Sequence, residues 1–114
     1  MPRRHSPDPD AKAIGRRIRA LRCEAELTQE KLAYESDLGS KGYLSDIEHG
    51  LALPTVTTLR VLAERLDVLP LDLLTEPDAD PRQKLIDRTR GLTVGALRKL
   101  LRQIPSPRSP RGTP

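Results

Sequence analysis

TQEKLAYESDLGSKGYLSDIEHG, residues 28–50, is the stretch of this 114-residue chain that decides its fold. Thr28 is a helix N-cap type set directly before Gln29, Glu30, Lys31, Leu32 and Ala33, a run of good helix formers. Ser40 is the next cap-type residue; Tyr43, Leu44 and Ile47 follow it at helical spacing, and Gly50 supplies a C-terminal stop. Two short helices joined by a glycine-bearing turn form a frame suited to laying its second helix in a DNA major groove.

Outward from this pair, the pattern stays helical. On the N-terminal side Asp10 reads as the cap of a helix running to about Ala25, with Ile14, Ile18, Leu21 and Ala25 on one face and Arg16, Arg17 and Arg19 on the others. Residues 1–9 lack periodicity and read as a disordered arm. On the C-terminal side Thr55 caps a fourth helix whose buried stripe is Leu59, Leu62, Ala63 and Leu66; Asp67 ends it, and Pro70 opens a short fifth helix through Leu74. Residues 75–80 form a polar linker. Beyond it Asp80 and Pro81 start a sixth helix that Gly91 stops, and Thr93 caps a seventh with Val94, Leu97, Leu101 and Ile104 in one stripe. The expected division is therefore a DNA-binding unit over 10–75, a helical extension over 80–104 and a disordered, proline-rich tail over 105–114.

Composition narrows the possibilities. Aromatic residues make up 2 %, Tyr34 and Tyr43 alone, so a core must come from Leu, Ile, Val and Ala, which suits small packed helices. No apolar run approaches the ~20 residues that span a bilayer, and none follows the first four residues as a leader would require. The chain reads as cytoplasmic. A single cysteine, Cys23, excludes an internal disulfide framework; it reads as a packed, half-buried thiol.

Charge is segregated. Residues 11–76 carry nine Lys/Arg against eleven Asp/Glu, whereas residues 77–114 carry nine against three, a net of −2 and +6. Phosphate neutralisation supplies most nonspecific DNA affinity, so an acidic core requires its positive charges to cluster or the C-terminal third to contribute.

The segments IGRRIRALR, LTQEKLA, YLSDIEHG and PTVTTLRVLAERLDV, in this order, resemble the phage-repressor and Cro type of helix-turn-helix protein, often called the XRE family, over residues 13–74. The resemblance implies an all-α fold, a five-helix repressor-like bundle here followed by a C-terminal helical extension, and operator binding as a homodimer. One departure is visible: the turn is one residue longer than the family's, with Asp37 where a glycine is usual and Gly39 two residues later.

The resemblance also implies that Gln29 braces the DNA backbone and the recognition helix, and that Glu48 pairs with Arg22 late in the first helix. The residues themselves indicate the remaining candidates. Ser40, Lys41 and Gly42 open the recognition helix, where side chains and backbone N–H groups approach a duplex. Lys41 is the only lysine or arginine between Lys31 and Arg60 and opposes the helix dipole, which points to a base edge or phosphate as its partner. Gly42 admits either close DNA approach or relief of a crowded turn. Tyr43 either touches DNA or covers the bundle; Ser45 and Asp46 face the groove; His49 either donates to phosphate or answers the dipole. The seventh helix packs on its own domain, pairs with a twin, or lays Arg98, Lys99 and Arg102 on DNA.

No Cys/His/acid set has metal-ligand spacing and no phosphate loop precedes a helix, so neither an enzyme nor a cofactor is expected. The expected partners are double-stranded DNA, a second copy, and a protein through 80–104, with no membrane. The competing expectation is an antitoxin-like module whose C-terminal region wraps a partner protein, DNA binding being only autoregulatory.

Overall fold

Side-chain oxygens start six of the seven helices among residues 8–107, which the computed structural model describes. Asp8, Thr28, Ser40, Thr55, Asp80 and Thr93 each accept from a backbone N–H of the following first turn, and so open α1 (Pro9–Glu24), α2 (Gln29–Glu35), α3 (Lys41–Glu48), α4 (Val56–Leu66), α6 (Pro81–Thr89) and α7 (Val94–Gln103). The short α5 (Pro70–Leu74) is closed differently: the carboxylate of Asp72 reaches back 2.8 Å to the Leu69 N–H. The described residues contain no strand, and the fold is all-α.

α1 begins earlier than expected. Asp8, not Asp10, is its cap, because Pro9 is preorganised for the first helical position and Asp10 then lies in the first turn, where the dipole favours an acid. The arm over 1–9 and the tail over 105–114 otherwise lie outside the described residues, apart from Asp8, Pro9 and residues 105–107. Two further expectations fail at the other end of α1. Ala25 is the exposed C-cap rather than part of the buried stripe, and Cys23 is exposed rather than half-buried.

Three turns use the left-handed region at residues other than glycine: Glu26 after α1, Asp37 after α2 and Asp67 after α4. Asp67 ends α4 as its sequence position suggested. In the long turn before α3, Asp37 (φ 53°) takes the left-handed conformation in the glycine's place and Gly39 (φ 85°) takes it again, which absorbs the extra residue.

The core joins the first five helices. Ile18, Leu32, Leu44, Ile47, Leu62 and Leu73 are fully buried, each removing enough apolar surface to contribute about 1.5–3 kcal/mol. α3 packs on α1 and α2, and α5 packs on α1 and α4. α1 crosses α3 at Gly15, where an added Cβ would fall on the Ile47 carbonyl oxygen and 2.8 Å from that of Glu48.

α6 and α7 have no buried residue, and charged contacts tie α6 and its C-cap to the bundle. The Arg17 guanidinium donates to the Asp72 carbonyl (2.8 Å) and the Asp87 carboxylate (2.7 Å), and Arg90 reaches both Asp87 (3.0 Å) and Glu24 (2.7 Å). Thus α1, α5 and α6 meet across the linker at 75–80. Hydrogen bonding from Arg17 holds the Asp87 carboxyl below its ordinary value, against the opposing effect of burial, with Arg90 adding to it. A carboxyl lowered in the folded state adds stability above its unfolded value of 3.8 and loses it as the pH falls through the lower folded value. NMR titration of Asp87 is expected to give a midpoint below 3.8 that rises in Arg17→Ala. An unchanged midpoint in the variant would contradict this attachment.

Candidate nucleic-acid interface

Periodicity decides which side of α3 is available. Leu44, Ile47 and Glu48 are buried, and Tyr43 packs half-buried against the core, the bundle-covering role. Gly42, Ser45, Asp46 and His49, spaced i, i+3, i+4 and i+7, form the opposite stripe, with Ser40 and Lys41 at its exposed N-terminal end. Seven of the eight candidate contact residues thus lie on α3 or its caps, six of them away from the core; Gln29 sits apart at the start of α2.

The carboxylate of Glu48, its side chain 1 % exposed, anchors this helix. It accepts two bonds from Arg22 (Nε 2.7 Å and Nη2 3.0 Å) and a third from Gln29 Nε2 (2.8 Å), while Arg22 Nη1 donates to the Leu27 carbonyl (2.8 Å). The hydrogen bonds to Glu48 keep Arg22 above its ordinary pKa, so the guanidinium stays charged. The Arg22–Glu48 pair implied by the resemblance is present, and Gln29 joins it. One carboxylate therefore ties the end of α3 to the end of α1 and the start of α2.

Lys41 has a partner within the chain: its Nζ lies 3.2 Å from Glu30 Oε1, both side chains largely exposed. Glu30 therefore answers the charge of Lys41 within the chain, although an exposed pair of this kind is worth only about 0–1 kcal/mol. Gly42 behaves oppositely. A Cβ there would meet only Ser40 Oγ at 3.7 Å, so no crowded turn explains the glycine. His49, exposed at the C-terminus of α3, donates its Nδ1–H to the Ser45 carbonyl (2.7 Å).

The polar stripe and the basic C-terminal helices occupy different sides of the bundle. Ala11, Gly15, Ile18 and Arg22 form the face of α1 that meets α3, whereas Arg17 and Glu24, on another face, hold α6. Sequence reasoning missed Gly15, Arg17 and Glu30 as positioning residues; nothing local distinguishes them from solvated or helix-filling positions.

The profile described as a helix-turn-helix domain matches residues 13–76. The chain is 41% identical over 70 residues to an uncharacterized HTH-type transcriptional regulator, y4dJ, of Sinorhizobium fredii, an alignment covering 61% of this chain and 90% of that protein. It is 42% identical over 55 residues to the immunity repressor protein of Bacillus phage phi105, covering 48% of this chain and 38% of the repressor. Among solved structures, the restriction-modification controller protein C.AhdI of Aeromonas hydrophila superposes with a TM-score of 0.56 at 33% identity, over 58% of this chain and 98% of the controller.

Proposed function

The chain belongs to the helix-turn-helix domain family, and we propose that it is a sequence-specific DNA-binding transcription regulator that reads a partly symmetric operator with α3 as a homodimer. The observation that carries this reading is the stripe of Gly42, Ser45, Asp46 and His49 turned away from the core on a helix locked in place by Glu48. The names of the relatives with which the chain aligns, an HTH-type transcriptional regulator, an immunity repressor and a restriction-modification controller protein, support this reading. No helix among the described residues is long and apolar enough to cross a membrane; action in the cytoplasm, where the DNA is, follows from the same reading.

Within this function each candidate has a role. The first turn of α3 points N–H groups and Lys41 toward phosphate or a guanine edge, and Gly42 lets the backbone come close. Ser45 and Asp46 face bases, where Asp46 accepts from a cytosine amino group and repels phosphate. Gln29 acts mainly through Glu48, and Tyr43 through its packing.

Two substitutions separate DNA contact from folding. Lys41→Ala is expected to weaken operator binding by about 1–3 kcal/mol if the side chain reads a base. Gly42→Ala, whose added Cβ makes only an ordinary contact with Ser40 Oγ inside the protein, should leave the melting temperature unchanged or slightly raised and still reduce operator affinity, as read by fluorescence anisotropy beside thermal melts. Unchanged affinity in both variants would remove the N-terminus of α3 from the interface.

A further inference from the structure

α2 holds both ends of α3, by different means. Gln29 reaches the C-terminal end through buried Glu48 (2.8 Å), and the next residue, Glu30, reaches the N-terminal end through Lys41, whose Nζ lies 3.2 Å from Glu30 Oε1. The first contact serves the fold. The second joins side chains 75 % and 54 % exposed, a pairing that adds little to stability. Glu30 begins a face of α2 that continues at Ala33 and Tyr34 and, past the helix end, at Asp37. Between this face and the start of α3 runs a cleft of about 350 Å³, with Gly39, Ser40 and Lys41 on its other side.

The charges in this cleft distinguish a phosphate from a base edge. Two acids, Glu30 and Asp37, line it with one cation, Lys41. A phosphate drawn to Lys41 there would meet like charge, whereas a base edge offers lone pairs without a net charge. A lysine is a flexible point charge with three N–H donors, free to follow any phosphate within its reach. Held by Glu30, it keeps one N–H on the carboxylate and has two left, the number of acceptors that guanine presents at N7 and O6. The acid thus removes the part of the attraction that is the same on every sequence and leaves the part that is not.

We propose that Glu30 is a specificity-determining positioning residue: it aims Lys41 at a guanine edge and cancels its charge toward the phosphates of random DNA. The proposal rests on the reading of α3 as the helix that recognises DNA. Glu30 acts through Lys41 rather than on the duplex, so its effect on sequence preference must vanish when Lys41 is replaced.

Fluorescence anisotropy of the full chain on a site selected from random-sequence DNA and on scrambled DNA, over a range of salt concentrations, tests it. Glu30→Gln is expected to bind scrambled DNA about two- to fivefold more tightly, the range that an exposed pair allows. The slope of log K against log salt should steepen by about 0.9, one more phosphate contact. The selected site should gain less, so that its preference over scrambled DNA falls. In Lys41→Met the same Glu30→Gln change should leave the preference where it is. Asp37→Asn removes an equal charge from the same cleft, at a left-handed position that asparagine tolerates, and should also leave the preference unchanged. An unaltered preference in Glu30→Gln, or the same fall in Asp37→Asn or in the Lys41→Met background, overturns the role of Glu30 and leaves recognition through α3 standing. A wild type that prefers no site overturns recognition through α3 itself, and the role of Glu30 with it.

Discussion

Glu48→Ala is expected to cost the domain about 3–5 kcal/mol, because removing one member of a buried ion pair leaves the other charge uncompensated. The carboxylate is buried and receives three hydrogen bonds; without it Arg22 and Gln29 lose the partner that orients both. Arg22 keeps its bond to the Leu27 carbonyl and has an 11 % exposed side chain, so water recovers part of the loss and the lower end of the range is favoured. Urea denaturation reads the effect directly. Arg22→Ala with Glu48→Ala should lose less than the sum of the single losses, the difference falling at about 0.5–3 kcal/mol for residues in direct contact. Strict additivity would mean that the two side chains do not hold α1 and α3 together.

The second large effect is steric. Gly15→Ala puts a methyl group on the carbonyl oxygens of Ile47 and Glu48, which are backbone atoms of α3 and its end and cannot turn aside. Overpacking of this kind costs about 1–3 kcal/mol, and the approximately 1 kcal/mol that alanine gains over glycine inside a helix offsets only part of it. The expected net result is a lower melting temperature together with weaker operator binding, since α3 must move off α1 to make room. Gly95→Ala supplies the opposite sign: its Cβ meets only Thr93 Oγ1 at 4.0 Å, so the change should stabilise α7. Equal behaviour of the two variants would contradict the close crossing of α1 and α3.

These two sites also mark where the sequence stops being legible. Helix starts at Thr28, Ser40, Thr55, Asp80 and Thr93 were readable because a cap bonds within its own first turn, a local event. The left-handed Asp67 and the long turn at Asp37 and Gly39 were readable for the same reason. The Arg22–Glu48 pair spans 26 residues and became visible only through resemblance to a family. Arg17 and Asp87 are 70 residues apart, and nothing in either neighbourhood says that they meet. Gly15 looks like any small helical residue until the backbone of α3 is placed against it. The exposure of Ala25 and Cys23 was misread because an apolar period continues on paper past the point where the helix ends and the neighbouring element turns away. Within the candidate interface, sequence reasoning located the outward stripe of α3 but overlooked Glu30, the acid beside Lys41.

The acidic balance of the bundle gives the account its sharpest physical demand. Lys41 lies beside Glu30 and Arg65 beside Glu35, and Arg90, which caps the C-terminus of α6, is held by Glu24 on a face of α1 that does not meet α3. On the proposed reading, affinity for random DNA should be low and discrimination is expected to come from base contacts by Lys41, Ser45 and Asp46 rather than from phosphate neutralisation.

Selection of bound DNA from a random-sequence pool, followed by sequencing and titration of the enriched site, tests this most directly. The account predicts a partly symmetric motif, bound at least about 10³-fold more tightly than scrambled DNA at the same salt concentration, with the preference lost when Lys41, Ser45 and Asp46 are together replaced by alanine. A pool that yields no motif, or a motif bound equally well by that triple variant, would contradict recognition through α3.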